Sequence, residues 1–293
     1  MTWTALQWVW RLESPLFIGM PPAGVLNRCR LYVPARVLWG AMTAEISRSG
    51  SSETFPDYDK FGQEVARNCR FTYLYPAEEQ DDKFLVWLPK FEKKEGFRWY
   101  CLGSNLNLSD RDFRRRILEA RAGTAVNPQT ISASEGTLRE TECISPWWHN
   151  SDLQEKQNAV LLFGYVFLRD NSFRMQLDQI NSISIGGDTR YGMGKMCRLK
   201  WQDINTDSFV FGKRISLDGN NPEIHSEVVL GHAPVEASQP HARDIKGSQE
   251  FVDGWDQGSP YRGELAWVPG SLTEELVVWS IDNFGYWICK KQE

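Results

Sequence analysis

Paired cysteines at metal or redox spacing are missing from this chain of 293 residues. Its six cysteines are Cys29, Cys69, Cys101, Cys143, Cys197 and Cys289, and the closest two, Cys69 and Cys101, stand 32 positions apart. That excludes a CxxC site, and scattered thiols read as buried side chains in a reducing compartment. Long apolar runs are missing too, so no segment approaches the ~20 residues of a membrane-spanning helix. The stretch "MTWTALQWVWRLESP" has no basic segment followed by an apolar one. The expectation is a soluble, cytoplasmic protein without a secretory leader. Excess positive charge is also lacking: 33 Lys and Arg against 38 Asp and Glu give a net charge of −5. This excludes a free-standing, non-specific nucleic-acid binder but leaves room for a local basic groove.

What is present is ordinary globular composition, 41% apolar and 24% charged, with thirteen Trp that suit cores and interfaces. "WTALQWVWRLESPLFIG" alternates and reads as a strand that ends at Ser14-Pro15. After Pro34, the spacing of Val37, Leu38, Ala41, Met42 and Ile46 predicts a helix that Ser49-Gly50-Ser51-Ser52 closes. "DYDKFGQEVARNC" predicts a second helix, "RFTYLYPA" a strand, and "KFLVWLPKFEKKEGFRWYCLG" a hairpin turning at Lys93–Gly96. "LSDRDFRRRILEARAG" reads as one helix, capped by Ser109 and stopped by Gly123. "AVLLFGYVFLR" is a buried strand, "SFRMQLDQINSI" a helix and "KMCRLKWQDI" a strand. Beyond about residue 205 turn signals dominate, with late strands at "ELAWVPGSL" and "LVVWSIDNFGYWICK". Helices mixed with hairpins predict an α+β fold, not a doubly wound parallel sheet.

Four stretches carry candidate chemistry. "SISIGGDTRYGMGKM" places Gly186, Gly187, Gly192 and Gly194 around Arg190, Tyr191 and Lys195. Glycines let a backbone approach a ligand, and successive amides can form an anion nest. The GxGxxG spacing after a strand is absent, and Lys195 is followed by Met196, so no GK[ST] motif exists. Taken alone, the stretch fits a turn as well as a phosphate cradle. The segment 109–123 carries Arg111, Arg114, Arg115, Arg116 and Arg121 against three carboxylates, either a solvated face or a surface for a nucleic-acid backbone. "TAVNPQTISASEGTL", including Asn127, Gln129 and Thr130, is polar and suits a flexible loop or a protruding hairpin. His149, near Asp152, has no second histidine close in sequence; it is a surface residue or, alternatively, a general acid or base.

The glycine stretch, which follows a strand–helix unit, resembles the glycine-rich loop of the RAMP superfamily of CRISPR effector proteins. Upstream, Ser14, Pro15, Leu16, Ile18 and Gly19, then Tyr32, Pro34, Leu38, Gly40 and Ala41, resemble that family's first conserved block in order and spacing. "RAGTAVNPQTISASEGTLRETECISPWW" resembles its middle segment, so the likeness runs over residues 13–200. The resemblance implies a ferredoxin-like (RRM-like) domain over 1–203, with a thumb-like insertion around 122–145, and a divergent, β-rich or ferredoxin-like lobe over 204–293. It implies guide-RNA (crRNA) contacts at Gly186, Gly187, Arg190, Tyr191, Gly192, Gly194 and Lys195. Further contacts are expected at Arg36, Trp39, Arg114, Arg115, Asn127, Gln129 and Thr130. The thumb of that family inserts into the guide–target duplex. The implied partners are crRNA, target RNA, backbone subunits and a large polymerase-like subunit, with no membrane, cofactor or metal.

Departures sharpen this expectation. The family usually has Gly-Ser before the helix and then Lys, whereas Ala35, Arg36 and Trp39 stand here. RNA-cleaving backbone subunits carry an Asp in the segment that reads "MPPAGVLNRCRLY" in this chain, which has no carboxylate. Acid–base or metal-assisted cleavage needs such a group. The glycine loop of the guide-processing ribonucleases lies close to the C-terminus, yet 97 residues follow Met196 here. A non-catalytic subunit of a type III-like complex that caps the 5′ handle is therefore expected. The alternatives are a guide-processing endoribonuclease using His149, a backbone filament subunit or an accessory scaffold.

Overall fold

The structure, a computed structural model, describes residues 2–50, 55–149, 158–204, 209–238, 245–252, 254–256, 259–261 and 263–290. Its centre is an antiparallel sheet built from β1 (Thr4–Leu12), β2 (Cys69–Phe71), β3 (Leu161–Leu168) and β4 (Lys195–Asp203). β1 lies in the middle, with Thr4 opposite Leu168 on one side and Leu12 opposite Met196 on the other. β2 pairs with the far edge of β3, Val166 opposite Phe71. The order across the sheet is thus β4-β1-β3-β2. Helices α1 (Ala35–Gly50) and α2 (Asn171–Asp178) form the crossovers after β1 and β3, and they touch each other. The mixed α+β architecture matches the sequence expectation.

Every residue of β3 is buried, as its unbroken apolar sequence demands of a central strand. Trp8 and Trp10 of β1 pack tilted to each other at 4.9 Å, and Trp8 stacks on Phe71 at 5.9 Å. α1 begins directly after Pro34, which cannot donate a helical N–H, and buries Ala35, Leu38, Met42 and Ile46 along one stripe. The helix Tyr58–Asn68, capped by Asp57 through a 2.9 Å bond to the Lys60 amide, packs against α1. The edge of β3 that carries β2 continues, at Leu161–Phe163, into Tyr75–Gln80 and the hairpin Lys83–Glu92/Gly96–Cys101, whose turn ends at Gly96 with φ 75°.

The arginine-rich segment differs from expectation. Its helix runs only from Asp110 to Ile117, and Leu118–Gly123 is a strand paired with Arg139–Ile144. Phe113 and Ile117, one turn apart, fill the buried side, and Phe113 stacks on Trp99 at 4.2 Å. Leu118 then leaves the helix at φ −95° and ψ 141°, because the cross-strand partner offers its backbone a ladder that the sequence does not announce. The two strands rise into a small hairpin, Val126–Asn127 against Ser132–Ala133.

After residue 209 a second sheet forms, in the order Phe209–Val210, Lys213–Ser216, Glu223–Val228, Leu272–Ile281 and Trp287–Cys289. Strands Lys213–Ser216 and Glu223–Val228 lie where turn signals alone were legible; Lys213–Ser216 pairs locally with Phe209–Val210 and Glu223–Val228, and Glu223–Val228 completes its ladder on the distant Leu272–Ile281. Beside it, Leu265–Trp267 pairs with Ala233–Pro234 and Gln249–Phe251. Gln249–Phe251 lies in a stretch expected to be loop. The second sheet shares the buried cluster of the first: Phe211 meets Tyr75 edge-on at 5.4 Å and Tyr165 at 5.0 Å. No helix among the described residues is long and apolar enough to cross a membrane.

Candidate functional site

The chain leaving β1 is the hub of the site. Residues 13–19 run between the glycine loop and the base of the hairpin. On one side the Gly187 amide donates to the Phe17 carbonyl at 2.8 Å, and the Gly194 amide to the Pro15 carbonyl at 2.8 Å. On the other, Leu16 and Ile144 exchange backbone bonds of 2.9 and 2.8 Å. The three stretches singled out in the sequence are thus brought together by backbone pairing, across separations of more than a hundred residues.

The loop runs from Ile185 to Gly194 around a single 3-10 turn, Thr189–Tyr191. Gly186 (φ 81°) and Gly194 (φ 77°) adopt backbone angles that side chains resist, and both are crowded. A Cβ on Gly186 would strike the Phe17 carbonyl, and one on Gly194 the Ile185 carbonyl. The proposed anion nest needs correction here. The amides of Gly187, Gly192 and Gly194 already donate to Phe17, Thr189 and Pro15, and Gly186, Gly187 and Gly194 serve close packing of the loop. They hold up the side chains of Arg190, Tyr191 and Lys195, which all face solvent. Tyr191 is 77% exposed, and the Arg139 guanidinium from the hairpin base lies 5.8 Å from its ring centroid.

Between this loop and the start of α1 lies an open cleft of about 620 Å³. Gly19, Arg30, Arg36, Gly186, Gly187 and Thr189 are among the residues that line it. Along α1 its wall is Arg36, Gly40 and Ala44, spaced four apart, so small residues follow the one guanidinium. Arg36 stands 5.1 Å from the Phe284 ring. Trp39 points elsewhere. Its Nε1 donates to the Gly62 carbonyl at 3.2 Å, its ring meets Phe284 edge-on at 5.6 Å, and it does not line the cleft. Trp39, where an RNA contact was expected, packs between α1 and its neighbours in this structure.

The remaining expected residues lie around this centre. Arg114 pairs with Asp110 at 2.8 Å and lines a second pocket, while Arg115 faces solvent. Asn127, Gln129 and Thr130 sit at the hairpin tip, where the Asn127 side chain accepts from the Gln129 amide at 2.9 Å. Ile131 beside them has φ 53° and is 85% exposed. The His149 amide donates to the Arg116 carbonyl at 2.8 Å, and its Nε2 is buried without a partner among the described residues. Asp152, its sequence neighbour, lies outside the described residues, as does His241.

A buried polar cluster under the cleft was not legible in the sequence. His232 donates or accepts at both ring nitrogens: Nδ1 is 2.6 Å from the Tyr73 hydroxyl and Nε2 is 2.6 Å from Glu250 Oε1. Arg30 reaches the other Glu250 oxygen at 3.2 Å and also donates to the Gly19 carbonyl. Burial lowers the His232 pKa below its ordinary value, although the Glu250 hydrogen bond opposes it. Burial pushes the Glu250 carboxyl up, but His232 and Arg30 outweigh it and the net shift is downward. A neutral His232 donating from Nε2 to an ionised Glu250, and accepting from Tyr73 at Nδ1, satisfies every group. Both ring nitrogens are thereby engaged, so this cluster ties the strand Gln249–Phe251 to the chain after β2 and does not present a free catalytic base.

No protein-family profile matches the chain, and no curated protein sequence does. Solved structures do match. One is a chain of a type III-B Cmr-beta complex seen by cryo-electron microscopy with cognate target RNA and AMPPnP. It aligns at TM-score 0.55 and 13% identity, covering 92% of this chain and 85% of its own. A chain of Cmr-beta bound to cognate target RNA aligns at TM-score 0.54 and 12% identity, over 91% of this chain and 86% of its own. The structural neighbours are therefore subunits of type III-B CRISPR complexes, and over most of its length this chain has their fold.

Proposed function

We propose that the chain is a non-catalytic, guide-RNA-binding subunit of a type III CRISPR ribonucleoprotein, seated at the 5′ handle. The carrying observation is the cleft between the glycine loop and α1, with Arg36 on its wall and Arg190, Tyr191 and Lys195 projecting nearby. The neighbours by fold are complexes bound to target RNA, which supports the same class of partner. The order β4-β1-β3-β2, with α1 and α2 as crossovers, supports reading residues 1–203 as a ferredoxin-like domain. Arginine and lysine supply salt-sensitive phosphate contacts, and Tyr191 supplies a ring for an unstacked base. The hairpin with Asn127, Gln129 and Thr130 extends the same surface, and Arg115 adds charge beside it. The absence of a carboxylate from residues 20–32 favours binding without chemistry.

The test is ultraviolet crosslinking of the protein to its guide RNA, followed by peptide mapping. The peptide containing Gly186–Lys195 is expected to carry the label, and Arg190→Ala with Lys195→Ala to weaken binding. Unlabelled peptide with unchanged affinity would refute the reading. The partnerless Nε2 of His149 favours one second reading, a guide-processing endoribonuclease. Metal-free incubation with repeat RNA decides it: specific cleavage that disappears in His149→Ala establishes the enzyme.

A further inference from the structure

Beyond the Arg30–Glu250 ion pair lies a second pocket, of about 420 Å³, which the glycine-loop cleft does not include. Its size falls within the roughly 300–1,000 Å³ of small-ligand sites. Three separate parts of the chain build it: residues 20–32, the hairpin with the arginine helix, and the strand Gln249–Phe251 with its neighbours. Phe97 and Trp99 supply aromatic surface. Trp99 is pinned between Phe113, stacked at 4.2 Å, and Asp110, which accepts from its Nε1 at 3.0 Å. Phe97 is only half-buried and meets Phe91 edge-on at 5.4 Å.

The charges are unevenly spent. Arg30 is paired with Glu250 and Arg114 with Asp110. Arg28 is half-buried in the pocket, and no side-chain partner for it occurs among the described residues. The exposed Gln249 also lines the pocket, and its side chain is likewise unengaged among the described residues. A half-buried guanidinium and a carboxamide facing a pocket with an accessible ring offer stacking, a fork of donors and a donor–acceptor pair. That combination suits the face and edge of a nucleobase.

We infer that this pocket receives one unstacked base of single-stranded RNA, with Phe97 against its face and Arg28 and Gln249 against its edge. The inference rests on the RNA-binding reading and deepens it, since it assigns a base-reading site apart from the phosphate-binding cleft. Arg114 also lines the pocket, but its guanidinium is held by Asp110 at 2.8 Å, so Arg28 is the cation left to meet the base.

The full chain is titrated with a fluorescein-labelled single-stranded guide RNA and with copies carrying one abasic position in turn. Phe97→Leu keeps the apolar volume and removes the ring, and Arg28→Gln with Gln249→Leu removes the edge contacts; thermal melts confirm folding. One abasic position is expected to weaken wild-type binding about tenfold and to have little further effect in Phe97→Leu. Equal binding of wild type and both variants, while Arg190→Ala with Lys195→Ala still weakens binding, overturns the pocket and leaves the RNA reading intact. No RNA binding by the wild type overturns both. Saturable binding of free AMP, GMP, CMP or UMP that depends on Phe97, with no base-dependent step in the RNA series, also overturns the RNA assignment and makes this a mononucleotide site.

Discussion

The Tyr73 hydroxyl and the Nδ1 of His232 lie 2.6 Å apart although 159 residues separate them in the chain. Through this contact the chain just after β2 holds the segment that enters Ala233–Pro234, and through Glu250 the same imidazole reaches Arg30, which lines the cleft. The bond joins the candidate site to the protein's pH response.

Folding stability should fall as pH is lowered. The folded His232 pKa is depressed from 6.5, so below that value the unfolded chain binds protons that the folded chain refuses. The Glu250 carboxyl is depressed from 4.5, so a further loss sets in below it. Urea midpoints measured between pH 8 and pH 5 are expected to drop, and His232→Gln to flatten the upper part of that drop. A midpoint that rises on acidification from pH 7 to pH 5.5 refutes the assignment of a neutral, donating His232.

The loop glycines should separate by position. Gly192 has φ 82° but open space around a Cβ, so Gly192→Ala should cost only the backbone strain, about 1–2 kcal/mol. Gly194→Ala adds a collision with the Ile185 carbonyl and should cost roughly 2–5 kcal/mol. Chemical denaturation of both variants checks the order.

Trp39→Phe should destabilise the fold by about 1–2 kcal/mol, because the Gly62 carbonyl loses its donor and part of the ring contact disappears. RNA affinity should stay within about twofold, as expected for a residue outside the cleft lining. A selective loss of affinity at unchanged stability would return Trp39 to the binding surface.

If Arg190 and Lys195 each neutralise one phosphate, replacing both with Ala should flatten the slope of log affinity against log salt by about 1.4. Titrations at four salt concentrations read this directly. A weaker but parallel line would show that the two residues act through the shape of the loop.

Native alkylation should modify one thiol. Cys197 is half-buried, whereas the other five are buried, and burial pushes the Cys29 thiol up to about 11 and that of Cys143 to about 12. Mass spectrometry is expected to find one adduct before denaturation and six after it.

Much of the fold was legible because its elements announce themselves locally. The apolar run Leu161–Leu168, the stripe after Pro34 and the turn at Gly96 each carry their own signal. The arginine helix was read too long because Leu118–Gly123 keeps helical composition and is made a strand only by Arg139–Ile144. The same holds for Glu223–Val228, which finds one of its two partners, Leu272–Ile281, far along the chain.

The candidate site divides in the same way. Sequence alone determined that Arg190, Tyr191 and Lys195 sit among glycines between a helix and a strand, because spacing and backbone freedom are local properties. It also determined that residues 20–32 offer no carboxylate. Tertiary structure decided that the Gly187 and Gly194 amides are engaged by Phe17 and Pro15 and that Trp39 packs instead of reaching the cleft. It likewise decided that Arg30, Tyr73, His232 and Glu250 meet. Hydrogen bonds and burial depend on which distant residues fill the space around a group, and no window along the chain contains that information.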